Sequence, residues 1–203
     1  MTIMPARSTP PPIARSRRGL RVYVRPPRKS DAASFVAAVK ASRRLHRGWV
    51  HPPATDAGYA AFVRRYATLD KRNGPPPTHV GLVVCRHDDD SLVGVFNISE
   101  IVRGLFNSGY LGYYAFAPNA GTGCMAEGLE LVLRVAFREL RLHRLEANVQ
   151  PSNARSLAFV RRAGFVREGF SRRYVRIGGK WRDHVRLALL AEDWRAGRRK
   201  TRA

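Results

Sequence analysis

The chain has 203 residues, 44% of them hydrophobic and 26% charged, which excludes a wholly disordered polypeptide and suits one folded domain with tails. Thirty-seven Lys and Arg against fifteen Asp and Glu give a formal net charge of +22, the one outlying property of the composition. No apolar run reaches the roughly 18 residues of a membrane-spanning helix, and two cysteines, Cys85 and Cys124, exclude a disulfide framework or a structural zinc site.

The basic N-terminus has no apolar segment behind it, so no secretory signal is read there and a cytoplasmic setting is expected. The charge is unevenly spread. Residues 1–30 hold eight basic side chains and residues 194–203 five, neither with an acid, while the rest of the chain keeps a net +9. Basic ends on a mildly basic domain point to a polyanionic neighbour such as RNA; a merely solvated surface is the alternative.

Residues 1–19, rich in Pro, Arg and Ser, have no periodicity and read as a flexible arm. Leu20-Arg21-Val22-Tyr23-Val24 alternates as a strand and stops at Pro26-Pro27. Ser30-Asp31 is placed to cap a helix bearing Phe35, Val36, Val39 and Leu45. A second helix is predicted over residues 55–69, with Tyr59, Phe62, Val63 and Tyr66 on one face, followed by a loop at residues 73–77. Strands are predicted over 78–86, 92–101 and 109–116, with a turn at Asp88-Asp89-Asp90. Consecutive acids in a turn do not converge on one ion, so no metal is expected there.

Beyond Gly121-Thr122-Gly123 the apolar period becomes helical: Met125, Leu129, Val132, Leu133, Ala136, Phe137 and Leu140 share one face. Leu145, Ala147 and Val149 then alternate as a strand. A helix follows from about 153 to 162, closed by Gly164, and a hairpin turns at Gly178-Gly179 with a return strand through Val185, Leu187 and Leu189. The order βααβββαβαββ implies a mixed α/β (α+β) sheet made of an antiparallel meander, a βαβ crossover and a final hairpin. The expected organisation is a single domain over 20–194, with a basic tail over 195–203.

The segment 109–165 carries the chemistry. Gly121 and Gly123 let the backbone approach a ligand closely, and the amides of residues 121–125 lie at a helix N-terminus, where unpaired N–H groups favour a phosphate. The spacing from Gly121 to Ala126 also fits the dinucleotide pattern Gly-x-Gly-x-x-Ala. That reading needs a doubly wound sheet, and here the loop follows a meander. A P-loop is excluded because Cys124-Met125 stands where Lys-Ser/Thr is required.

Tyr110-Leu111-Gly112-Tyr113, the loop through Glu127, Leu142-His143-Arg144-Leu145-Glu146-Ala147-Asn148, Asn153-Ala154-Arg155-Ser156 and Gly164-Phe165 together resemble the GNAT N-acetyltransferases. Gly94-Val95-Phe96-Asn97, Val102-Arg103-Gly104 and Trp181-Arg182-Asp183-His184 narrow the resemblance to the RimJ-like ribosomal-protein alanine N-acetyltransferases. The resemblance spans about residues 20–194. It implies a GNAT fold with an acetyl-CoA site in a V-shaped opening between two parallel strands, and no metal. It also implies main-chain contacts to the pantetheine arm near Tyr114, Ala115 and Phe116, and a pyrophosphate cradle from Gly121, Thr122, Gly123, Cys124 and Met125. Asn153 would hold the arm, Ser156 would stabilise or protonate the departing thiolate, and Asn148 would line the thioester end. Two positions depart from the family: Pro118 replaces a polar residue of the loop, and Val160 stands where many relatives have a tyrosine acid.

Glu100, on a central strand, is the candidate general base, with His51 and His79 weaker ones. A backbone α-amine, with a pKa of roughly 7.7–8.0, needs far less help than a lysine at about 10.4. Cys124 has no His–acid pair in its motif and is read as a packing residue. The expectation is direct acetyl transfer in a ternary complex to a protein N-terminus, a ribosomal protein beginning Ala or Ser. The basic tails would make electrostatic contact with rRNA, and the chain would be a monomer or homodimer with no membrane partner. The alternatives are a small-amine (aminoglycoside or polyamine) acetyltransferase and a non-catalytic, RNA-associated CoA-binding factor.

Overall fold

The computed structural model describes residues 18–66 and 76–200. Residues 1–17 of the arm read over 1–19, the end of the helix predicted to residue 69, the start of the following loop and residues 201–203 lie outside them. Seven strands form one mixed sheet in the order β1-β2-β3-β4-β5-β7-β6. Strands β1 (Val22–Arg25), β2 (Val80–Arg86), β3 (Leu92–Val102) and β4 (Ser108–Ala115) are successive antiparallel neighbours. Strand β5 (Arg144–Val149) is parallel to β4, and the hairpin β6 (Val166–Ile177) and β7 (Lys180–Leu190) joins through β7.

Helices cover both faces, which is why β2 reads as an unbroken apolar run. On one face Val84, Phe96, Ile98, Leu145 and Leu187 pack with α4 (Cys124–Arg134) and α5 (Ala154–Arg162). On the other, Val83, Val95 and Phe116 meet Phe35 and Val39 of α1 (Ala32–Ala41) and Tyr59 and Phe62 of α3 (Asp56–Tyr66). Each such side chain contributes about 1.5–3 kcal/mol by leaving water. Helix α4 comes so close to β2 that a methyl group on Gly128 would stand 3.0 Å from Val84.

The structure differs from the sequence reading at four places. The first helix ends at Ala41 and does not reach Leu45. Ser42, fully buried, bonds back to Ala38 O at 2.7 Å and accepts Ala117 N–H at 2.8 Å, so the chain turns into a separate short helix α2 (Arg43–His46). The Asp31 side chain faces away from the α1 amides. It pairs with both Arg25 guanidinium nitrogens at 2.7 and 2.8 Å and accepts the Arg28 amide, fastening α1 to β1.

The third difference lies past α4, where Val135–Glu139 widens into a π-turn. Val135, Ala136 and Phe137 of that turn are buried, as are Leu140 and Leu142 just beyond it. At the C-terminus, where a tail is expected, residues 195–200 continue helix α6 (Ala191–Lys200), anchored by Trp194 against Phe137.

Candidate active site

Strands β4 and β5 pair only at Ser108↔Arg144, Gly109↔Leu145 and Tyr110↔Glu146. Beyond Tyr110, β4 stays paired to β3 as far as Ala115, and β5 to β7 as far as Val149. The two parallel strands therefore diverge, leaving a V whose facing backbone edges have no ladder partner among the described residues. Buried edge groups need a partner, and an extended ligand arm with amides is the chemistry that fits such an edge.

The glycine loop closes one end of the V. Gly121 has φ +86° and Gly123 φ +83°, a region that strains any L side chain. Among the described residues the amides of Gly121, Thr122 and Gly123 have no backbone partner, whereas those of Ala126 and Glu127 turn back to Gly123 O. Two arginines flank this cradle. Arg21 donates to Thr122 O at 3.0 Å and pairs with Glu127 at 3.0 Å, and the Arg155 guanidinium lies 3.5 Å from where a Gly121 side chain would begin. Burial pushes the Glu127 carboxyl up, but the Arg21 and Val22 amides and the Arg21 guanidinium hold it below the usual carboxylate range. Unpaired amides at a helix N-terminus, with arginines beside them, form a site for a phosphate diester chain. The residues present thus fit a coenzyme A diphosphate.

Cys124 is buried and packs in the core. Met125 is half-buried, and a methyl group on Gly94 would stand only 2.5 Å from its sulfur.

At the middle of the V, Tyr113 Oη lies 2.5 Å from Ser156 Oγ. Its ring is wedged between Phe96 and Phe159. Burial pushes the Tyr113 phenol up to about 12, against the lowering effect of Ser156, so it stays protonated throughout the neutral range. Ser156 is oriented from the other side by Asn153, whose Oδ1 accepts the Ser156 amide at 3.0 Å as the N-cap of α5. Val160 is fully buried in the core, which leaves Ser156 as the hydroxyl that α5 presents near Tyr113. Tyr113 was not singled out from sequence, because only the fold brings it to Ser156.

Around Gly112 the opposite face of the sheet is open: nothing among the described residues lies within 4 Å of where a methyl group on that glycine would stand. Asn97 is its cross-strand partner on β3, and Asn148, two residues past the Tyr110↔Glu146 pair, stands level with it across the V. Both carboxamide oxygens, Asn97 Oδ1 and Asn148 Oδ1, are buried without a hydrogen-bond partner among the described residues, as is Tyr114 Oη. Glu146, the acid two residues before Asn148 on the same side of β5, is engaged by Arg144 at 3.0 Å.

Two expected positions come out differently. The Phe116 amide is committed to Val93 O at 2.8 Å and its ring is buried beside Phe35 and His46. The alternation of an antiparallel ladder therefore turns the edge groups of Tyr113 and Ala115 toward the V, and the Ala115 carbonyl already accepts His46 Nε2 at 2.8 Å. Glu100 lies in a bulge of β3 with φ +48°, exposed and paired with His79 at 3.2 Å and Arg65 at 3.7 Å. It sits four residues from Phe96, the partner of Tyr113, or about 13 Å along the strand. The structure does not bring it to Ser156. His51 touches the hairpin turn at Gly178, also away from that pair.

A splayed parallel strand pair, a phosphate cradle at a helix start and a hydroxyl pair at the opening together define an acyl-CoA-dependent transferase. The Acetyltransferase (GNAT) domain family matches residues 21–166. The chain is 33% identical over 178 residues to a probable N-acetyltransferase, YjcK, of Bacillus subtilis, covering 87% of this chain and 97% of that protein. It is 42% identical over 111 residues to the ribosomal protein uS5-alanine N-acetyltransferase of Escherichia coli, a match that spans 55% of this chain and 57% of that enzyme. The structure of Mycobacterium smegmatis RimJ in complex with CoA-disulfide superimposes with a TM-score of 0.75 at 27% identity, covering 84% and 82% of the two chains. The chain belongs to the GNAT acetyltransferase family, whose members use acetyl-CoA as acetyl donor.

Proposed function

We propose that this acetyltransferase modifies the N-terminal α-amine of a protein, a ribosomal protein beginning with Ala or Ser, by direct transfer in a ternary complex. The observation that carries this reading is the floor of the acceptor face. Asn97 and Asn148 stand on either side of Gly112 in the sheet, their carboxamide oxygens buried without partners among the described residues, and the neighbouring acid, Glu146, is already paired. Carboxamide oxygens accept N–H bonds from an amine, and these side chains offer no unpaired carboxylate as counter-charge for the several ammonium groups of a polyamine. The E. coli relative is named for acetylating an alanine of a ribosomal protein, which supports the same choice.

In this reading bound acetyl-CoA supplies the activated acetyl group. The amides of residues 121–123, with Arg21 and Arg155, hold its diphosphate, and the β4 edge at Tyr113 and Ala115 orients its arm. Asn97 and Asn148 receive the amine N–H groups. The Ser156 hydroxyl donates to the departing sulfur, and the Tyr113 hydroxyl donates to Ser156 Oγ, freeing the serine proton to point into the V. An α-amine near pKa 8 is partly neutral at pH 7, so its last proton leaves to water.

Incubation with acetyl-CoA and peptides beginning Ala, Ser, Thr or Met, alongside spermine and an aminoglycoside, read by intact mass, tests this. A gain of one acetyl on an Ala- or Ser-headed peptide is expected. Exclusive acetylation of spermine or the aminoglycoside would replace the reading. CoA binding without any transfer would leave a non-catalytic factor.

A further inference from the structure

Beyond residue 184 β7 is flanked by β5, but its first half, Lys180 to His184, pairs only with β6. The hairpin tip therefore projects past the sheet as a two-stranded ribbon. Its side chains are cationic: Arg172, Arg173, Arg176, Lys180 and Arg182 are exposed and have no carboxylate partner among the described residues. The acid of this tip, Asp183, already accepts the Arg173 amide at 2.7 Å. Trp181 stands 60% exposed beside Arg176, an indole held out into solvent among guanidinium groups.

The ribbon borders the acceptor face. Tyr174 lies beside Tyr110 of β4, and the Gly178 turn lies against His51. His51 belongs to the α2–α3 connection, which is tied to the end of β5 where Gln150 donates to Gly48 O at 2.9 Å. That connection follows Arg43, Arg44 and Arg47, again exposed and without carboxylate partners among the described residues. Two elements distant in sequence, both carrying exposed arginines, thus come together next to the end of β5, one arm of the V.

We propose that this rim binds RNA, so that the enzyme acetylates a protein N-terminus lying beside an RNA backbone; the inference rests on the protein-N-terminus reading above. A chain of net charge +22 repels a free cationic acceptor, and a phosphate backbone beside that acceptor turns the repulsion into attraction. Arginine forks match phosphate geometry, and an exposed indole offers a stacking face for an unpaired base. An anionic membrane interface would also seat a lone indole beside cations, so vesicles serve as the competitor in the test.

The test is fluorescence anisotropy of the full-length protein with a labelled RNA hairpin across a potassium chloride series, with phosphatidylglycerol vesicles as competitor. The triple variant Arg172→Gln/Arg176→Gln/Arg182→Gln is expected to bind RNA at least about tenfold more weakly, with a log–log salt slope shallower by about two. Its acetylation of a free, neutral Ala-headed peptide should stay unchanged, which also reports that it is folded. The variant Arg43→Gln/Arg44→Gln/Arg47→Gln, on the other element, is expected to weaken RNA binding in the same direction. RNA binding by both variants equal to that of the parent overturns the proposal, as does displacement of the RNA by vesicles at lower phosphate concentration than by unlabelled RNA. If RNA binds as described but no peptide is acetylated by the parent, the functional reading fails and the RNA surface stands.

Discussion

The Tyr113–Ser156 pair makes a quantitative prediction. Ser156→Ala removes a hydrogen bond to a developing thiolate, and a bond to a charged group contributes about 1.5–3 kcal/mol. At 1.36 kcal/mol per tenfold, kcat should fall about 10- to 150-fold. Tyr113→Phe keeps the ring between Phe96 and Phe159 and removes only the hydroxyl 2.5 Å from Ser156 Oγ. The loss of one neutral bond, about 1 kcal/mol, is about fivefold in kcat. Because the tyrosine acts through the serine, its removal should cost nearly nothing once Ser156 is alanine, a non-additivity of about 1 kcal/mol in a double-mutant cycle. The assay is steady-state thiol release with an Ala-headed peptide. KM for acetyl-CoA should stay within twofold, since neither hydroxyl belongs to the diphosphate cradle. Equal factors for Tyr113→Phe in both backgrounds, or an effect confined to KM, refutes the arrangement.

Three further outcomes are expected. Gly123→Val, at φ +83° and with an Arg21 guanidinium nitrogen 3.2 Å from the added carbon, should cost about 1–3 kcal/mol of backbone strain and weaken CoA at least about tenfold by calorimetry; unaltered affinity would remove the loop from the site. His46 is held below its ordinary range by burial, against the raising effect of its bond to Ala115. The unfolded chain therefore binds its proton first, and stability should be flat above about pH 6.5 and decline as pH falls below it. Melting curves from pH 7.5 to 5 should show that slope and His46→Gln should reduce it, the remainder coming from His184, which burial also holds low; identical slopes would exclude His46. Glu100→Gln should leave the rate within twofold at every pH, because the exposed carboxylate faces Arg65 and His79; a tenfold loss would restore Glu100 as the base.

The seven strands, the mixed sheet and the glycine turn before α4 were legible in the residues alone, because each is written in local signals: period-two and period-3.6 burial, paired glycines before a helix, and a Gly-Gly turn; the separate α2 and the C-terminal α6 were not. Asn153 was read from the resemblance as holding the coenzyme arm, and its capping of α5 through the Ser156 amide came only with the structure. Relations between distant positions were not legible in this way and came only with the folded chain. Tyr113 meets Ser156 across 43 residues of chain, and His46 reaches Ala115 across 69. Whether an amide such as that of Phe116 faces a neighbouring strand or the V depends on ladder register, and shifting register by one residue exchanges the two. The bulge that carries Glu100 away from the opening is likewise a property of strand pairing. Residue type states what chemistry a side chain is capable of; the long-range pairing of strands decides which of those groups stand together.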